Sequence, residues 1–219
     1  MPLKAIIFDF DGVLANTMQA HLDSEQKVFD ELGLKISKGE LGKYFGMKVT
    51  EFNRRVIEEY KLDASVEEIV RKKYAALNEI IEKGTVTAIP GALELARDAS
   101  EKKLKLAIAS GSRKEFVERV LSKIGGTELF PVILGEAEVE KGKPEPEIFL
   151  KCAEHLNVDP ANCLVLEDAE NGVLAAKKAG MKVVAILNDF SGNQDYSKAD
   201  MQIKSFEEIP LKRLIEWFG

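Results

Sequence analysis

Five short apolar runs, each stopping on small or polar residues, constrain this chain more than any other feature. Ala5 to Phe8 runs into Asp9-Phe10-Asp11-Gly12. Leu104 to Ala109 runs into Ser110-Gly111-Ser112, and Val132 to Leu134 into Gly135. Cys163 to Leu166 runs into Glu167-Asp168, and Val183 to Leu187 into Asn188-Asp189. Runs this short and this continuous suit strands buried on both faces. Helical patterns separate them: Ala92 to Lys102, Arg113 to Ile124 stopped by Gly125-Gly126, Glu147 to Leu156 behind Pro146, Asn171 to Ala179 stopped by Gly180, and Phe206 to Phe218. In the third of these, Ile148, Phe149, Cys152, Ala153 and Leu156 share one face. Strands alternating with helices predict an α/β fold, a Rossmann-like parallel sheet with helices on both faces. Ligands of such sheets bind beyond the carboxyl ends of the strands. That is where this chain places its Asp, Ser, Gly and Glu residues.

One stretch breaks the alternation. From Thr17 to Lys83 the pattern is helical throughout. Leu22, Val28, Phe29 and Leu32 form one stripe, closed by Gly33, and Phe52, Val56, Ile57 and Tyr60 form another. Ser65-Val66-Glu67-Glu68 reads as a capping box opening a third helix that carries Ile69, Val70, Tyr74, Leu77 and Ile81. The stretch predicts a helical bundle inserted after the first strand. The expected organisation is a core domain from residues 1–16 and 84–219, with residues 17–83 as the insertion.

Bulk composition limits partners more than chemistry. The chain has 219 residues, 45% hydrophobic and 31% charged, with a net charge of −6. It lacks the basic stripe that a nucleic-acid binder needs. No segment approaches the ~18 consecutive apolar residues of a membrane helix, and the run after Lys4 is cut by Asp9 and Asp11, a poor signal peptide. A cytoplasmic protein is expected, a monomer or weak dimer. Its two cysteines, Cys152 and Cys163, sit in apolar contexts and read as buried small hydrophobes. Trp217-Phe218 reads as core packing of the last helix.

Four groups carry the chemistry. Asp9 and Asp11 leave a strand end two residues apart, so both carboxylates can face one pocket. Like charges that close need a cation, and an all-oxygen site suits Mg²⁺. Ser110-Gly111-Ser112 exposes backbone N–H groups to an anion ahead of a helix. Lys143, between Gly142 and Pro144, sits on a stiff loop from which it can pair with a phosphate oxygen and an Asp. Glu167-Asp168 leaves another buried strand and demands neutralisation by metal or Lys. The fold sends all four to one sheet edge, where they supply a nucleophile, an acid/base, phosphate donors, a cation clamp and metal ligands.

Asp9-x-Asp11-Gly12-Val13, Ser110, Lys143 and Glu167-Asp168 stand in the order and context of the haloacid dehalogenase superfamily, which the whole chain resembles. The helical insertion resembles the alpha-helical cap of its subfamily I. Lys143-Pro144-x-Pro146-x-x-Phe149 with Glu167-Asp168-Ala169-x-x-Gly172-x-x-Ala175-Ala176 looks like the branch holding beta-phosphoglucomutase and sugar-phosphate phosphatases. The resemblance implies that Asp9 attacks phosphorus and forms an aspartyl-phosphate, while Asp11 protonates the leaving oxygen and then activates the acceptor. It implies Mg²⁺ on the Asp9 carboxylate, the Asp11 backbone carbonyl and Asp168, with Glu167 in or just outside that shell. Ser110 and Gly111 would hold phosphoryl oxygens, with Lys143 neutralising them. Asp11 argues against dehalogenation, because the superfamily's dehalogenases lack this second acid.

Substrate choice is expected in the cap. His21 resembles a His of the beta-phosphoglucomutases, and Arg71-Lys72 falls about where those mutases carry a cap Lys. In Phe45-Gly46-Met47-Lys48-Val49 no Arg stands where the mutase has its phosphate-binding one, Lys48 is the residue that would substitute for it, and Asn16 replaces the Asp usual before Thr17. The resemblance therefore implies a Mg²⁺-dependent phosphatase of a small phosphorylated metabolite, with a phosphomutase as the alternative.

Overall fold

Ala5-Ile6-Ile7-Phe8 forms strand β1 (Ala5–Phe8), and none of its four side chains reaches solvent. It pairs in parallel with β2 (Lys105–Ala109) on one side and β4 (Cys163–Glu167) on the other. β3 (Val132–Leu134) extends the sheet beyond β2, and β5 (Lys182–Ile186) beyond β4. The computed structural model describes residues 2–41, 44, 46–84, 86–190 and 192–219, and only the backbone of residues 38 and 39. Phe45 of the cap segment read above lies outside the described residues.

A sixth parallel strand, β6 (Met201–Ile203), pairs with β5 and corrects the expectation of five. It gives little signal because it is three residues long with an exposed Gln202 in the middle. The strand order is β3-β2-β1-β4-β5-β6. The chain thus moves outward from β1 to β3, then crosses back to β4 on the other flank of β1. Such a reversal opens a crevice at the carboxyl ends of the strands on either side. Phe8 is level with Ile108 and Leu166. One residue further, Asp9 and Glu167 leave the sheet side by side.

Alternate side chains build two cores. Ile6, Phe8, Ile108 and Leu166 face α5 (Ala92–Glu101), α6 (Lys114–Ile124) and α9 (Leu211–Phe218). Ile7, Ala107, Val165 and Val183 face α7 (Glu147–Leu156) and α8 (Glu170–Lys178). Cys152 and Cys163 are free thiols in this second core, and burial pushes the Cys152 thiol up to about 12. The last helix is shorter than its apolar pattern. A 3-10 turn, Phe206–Glu208, precedes it and α9 starts behind Pro210. Proline cannot donate a helical N–H but suits a helix start. Trp217 packs against the first core, with Lys182 Nζ 4.9 Å from its ring centre.

Between β1 and α5 lie α1 (Met18–Glu31), α2 (Lys38–Leu41), α3 (Val49–Tyr60) and α4 (Val66–Lys83). They share a separate core that includes Leu22, Phe29, Met47, Phe52, Val56 and Ile69. The Ser65 hydroxyl accepts the Glu68 N–H at 3.2 Å, starting α4 as its sequence foretells. The excursion is clipped at its base: Asn16 N–H donates to Thr87 O and Ile89 N–H to Leu14 O, both at 2.9 Å. Along α4, Val70, Tyr74, Leu77 and Ile81 join the first core of the sheet. Among the described residues, no helix is long and apolar enough to cross a membrane.

Candidate active site

Asp9 sits just beyond β1 and is 5% exposed. Lys143 reaches it from the loop before α7. Its Nζ donates to Asp9 Oδ1 at 2.5 Å, to Glu167 Oε1 at 2.6 Å and to Ala109 O at 3.1 Å. One ammonium therefore joins the carboxyl ends of β1, β2 and β4. The second Glu167 oxygen accepts the Ala169 N–H at 2.7 Å, so both of its oxygens are engaged.

Asp168 completes the acidic group. Carboxylate oxygens of Asp9, Glu167 and Asp168 lie within 4.8 Å of one another, and all three residues are buried. Asn188, beyond β5, donates to Asp168 Oδ2 at 2.8 Å, and the Tyr196 hydroxyl donates to Asp168 O at 2.6 Å. Gly12 makes room for this carboxylate. Its φ is +85°, and a Cβ there would collide with Asp168 Oδ2. Burial, then the neighbouring Glu167 and Asp9, push Asp168 well above the usual carboxylate range. Burial also raises Asp9, against the pull of Lys143. Lys143 is itself held above its ordinary value, because the two carboxylates outweigh its desolvation.

With its three buried carboxylates ionised beside one ammonium, this corner would carry a net charge of −2. An all-oxygen set of that charge fits a hard divalent cation such as Mg²⁺. Asp9 and Asp168 carry the free acceptor capacity for it, and Glu167 stands behind them on Lys143.

Asp11 faces the other way, toward the helices. Its Oδ1 accepts from Thr17 Oγ1 at 2.5 Å and contacts His21 Nε2 at 2.9 Å. Its Oδ2 accepts from Ser112 Oγ at 2.8 Å and from Ser110 Oγ at 3.4 Å. Burial would raise this carboxyl. His21, with the hydrogen bonds of Thr17 and Ser112, outweighs it and holds Asp11 below the usual range. The Asp11 side chain thus stands outside the acidic group, which leaves only its backbone carbonyl for a cation.

A cavity of about 80 Å³ lies between the strand ends and the helices. Asp9, Asp11, Gly111, Ser112 and Asp168 line one side of it. His21, Glu25, Lys73 and the apolar Met18, Met47 and Phe52 line the other. Gly111 lets the two sides meet, since a Cβ there would lie 2.6 Å from Met47 O.

Two expected cap contacts are corrected. Lys72 does not line the cavity. It pairs with Glu68 at 3.2 Å and Glu31 at 3.6 Å on the outer side of α4. Its neighbour Lys73 lines the cavity instead and is 1% exposed. Helical phase decides this, because Lys73 shares a face with Ile69, Val70 and Leu77. Lys48 is also diverted. Its Nζ donates to Val139 O at 2.7 Å, on the loop leading to Lys143. Ser110 is fully buried beneath the cavity, with its Oγ accepting the Ser112 N–H at 3.0 Å, while Gly111 and Ser112 face the space itself. Glu25, Lys73 and Asn188 are site residues that motif reasoning passes over, while Ser112 belongs to the small-residue group read at the end of β2. Of the three, Glu25 stands one helical turn after His21 and Asn188 is a polar strand end, whereas Lys73 left no signal.

The chain matches the haloacid dehalogenase-like hydrolase family over residues 6–186. It is 35% identical, over 96% of its length, to a bifunctional riboflavin kinase/FMN phosphatase of Arabidopsis thaliana, and spans 55% of that longer protein. It is 32% identical to protein CbbY of Rhodobacter capsulatus, covering 99% of each chain. Among solved structures it is similar to a beta-phosphoglucomutase from Clostridium difficile, with a TM-score of 0.87 and 26% identity over 99% of this chain and 97% of that one.

Proposed function

The chain belongs to the haloacid dehalogenase-like hydrolase family, and from that premise we propose a divalent-cation-dependent phosphatase acting on a small phosphorylated metabolite through Asp9. The observation that carries this reading is the Lys143 bridge between Asp9 and Glu167 beside Asp168. It holds one Asp9 oxygen on a cation and leaves the other facing the cavity as a nucleophile. Asp9 and Asp168 would hold the metal, with Glu167 behind them and the Asp11 carbonyl as a further ligand. When bound, the metal would neutralise charge on the phosphoryl oxygens.

The rest follows from the chain's own groups. Asp9 attacks phosphorus in line, and the phosphoryl group passes to its carboxylate. Gly111 N–H and Ser112 orient the phosphoryl oxygens at the end of β2, with Ser110 beneath them, and Lys143 favours the anionic form of Asp9. Asp11, with His21 at 2.9 Å, gains a proton as the phosphate anion binds beside it, gives it to the leaving oxygen and later takes one from water. The helices close over the site as a cap formed by residues 17–83, which limits water to the second step. Positioning and charge stabilisation are what phosphoryl transfer chiefly needs.

A phosphomutase is the second reading, favoured by the likeness to the Clostridium difficile beta-phosphoglucomutase. The diversion of Lys48 and Lys72 weighs against it, since a bisphosphate needs a second cationic contact. Beta-glucose 1-phosphate with a trace of its bisphosphate separates the two. Phosphate release supports the phosphatase, and glucose 6-phosphate without release would replace it with the mutase. For the metal, Mg²⁺ should raise the melting temperature of the wild type and not that of Asp168→Asn.

A further inference from the structure

Lys73 is the one cation that lines the cavity among the described residues. It is already committed. Its Nζ lies 3.5 Å from Glu25 Oε1 and donates to His21 Nδ1 at 3.0 Å. The pair is deep, with side chains 1% and 11% exposed, so solvent does little to screen it. Around it the cap wall is apolar, with Met18, Leu41, Met47 and Phe52. A leaving group in this space meets two carboxylates, Asp11 and Glu25, against one ammonium. Among the described residues a second anionic group would find no uncommitted cation there, and like charges in contact are strongly disfavoured.

We propose that Glu25, by pairing with Lys73, fixes the substrate class of this site as phosphomonoesters with an uncharged leaving group. Polyol and alkyl phosphates fit it, whereas bisphosphates and phosphorylated carboxylic acids do not. The inference rests on the phosphatase reading and narrows it. The bond from phosphorus to the leaving oxygen breaks, its electron pair stays on that oxygen, and a proton from Asp11 makes the neutral alcohol. Water supplies the oxygen and the replacement proton, so a phosphomonoester and water give an alcohol and inorganic phosphate. Glu25 exchanges no proton or bond in this step; it acts as a positioning residue, by holding the charge of Lys73.

The test compares kcat/KM for 2-hydroxyethyl phosphate and phosphoglycolate, which differ only in a terminal CH₂OH against a carboxylate. With Mg²⁺ and the full chain, wild type should favour 2-hydroxyethyl phosphate by about tenfold or more. Glu25→Gln frees the Lys73 charge and should cut that preference by about fivefold or more. Lys73→Gln leaves Glu25 alone and should enlarge it. Each preference is a ratio within one preparation, so a loss of folded protein cancels. Equal or better use of phosphoglycolate by wild type would overturn the proposal, as would an unchanged ratio in Glu25→Gln. 4-Nitrophenyl phosphate separates the two levels. If it is hydrolysed and neither test compound is, the substrate class is wrong and the phosphatase stands. If nothing is hydrolysed, both fall.

Discussion

On the sheet side of the cavity, Asp9, Lys143, Glu167 and Asp168 are buried and held by hydrogen bonds of 2.5–2.8 Å. On the helical side the wall is mostly apolar, and its one ion pair among the described residues, Glu25 with Lys73, is internal. The first wall is fixed by the parallel register of β1, β2 and β4. The second rests on α1–α4, which share a core of their own while Val70, Tyr74, Leu77 and Ile81 of α4 pack into the first sheet core. What joins them is a seam: Thr50 N–H on Glu136 Oε2 at 3.2 Å, Arg113 N–H on the Tyr74 hydroxyl at 2.8 Å, and Lys48 on Val139 O. The difference teaches that reaction and selection are separable here. Charge that must not move is built into the strand ends, and shape that must admit a substrate hangs on a clip and a seam.

The sharpest break of the sheet wall is Lys143→Met. It leaves Asp9 and Glu167 buried without their cation, so turnover should vanish and stability fall by about 3–5 kcal/mol, read by chemical denaturation. Asp11→Asn should cost about 10²–10⁴-fold on an alkyl phosphate. It should cost far less in the formation of the covalent intermediate from 4-nitrophenyl phosphate, whose leaving group needs no proton. Equal losses on both would remove Asp11 from the role of acid. The sheet wall also has a pH signature. Burial raises Asp9 and Asp168, so ionising them with rising pH penalises the metal-free fold. The melting-temperature gain on adding Mg²⁺ should therefore grow with pH.

Changes on the helical side should be milder. Tyr74→Phe on α4 removes the hydroxyl that accepts the Arg113 N–H across the seam, and should loosen closure, lowering kcat/KM by about tenfold at a small cost in melting temperature. Lys72→Ala should leave kcat/KM within about twofold, because its pairs with Glu68 and Glu31 are on the surface. A large loss there would mean that the cap closes differently from the geometry described.

The sheet wall was largely legible in the sequence. Apolar runs ending on Asp9, Ser110 and Glu167 name both the strands and their carboxyl ends, and parallel topology brings such ends together. β6 escaped because three residues with Gln202 at the centre carry no periodicity. The cap wall was harder. Lys72 and Lys73 are adjacent and chemically identical, and only the phase of α4 against its neighbours decides which one is buried. Lys48 reads as a free cation until the loop carrying Val139 is seen to fold beneath it. Charges that pair across distant segments, such as Glu25 with Lys73, leave no local pattern.

The central claim, transfer of the phosphoryl group to Asp9, is tested most directly by trapping it. The Asp11→Asn protein, in which release of the phosphoryl group is slowed, is mixed with 4-nitrophenyl phosphate and Mg²⁺, quenched in acid and reduced with borohydride. An acyl phosphate is reduced to the alcohol, so peptide mass mapping should find homoserine in place of aspartate at position 9 alone. Reduction at another carboxylate, or a burst of 4-nitrophenol with position 9 unmodified, would contradict the account.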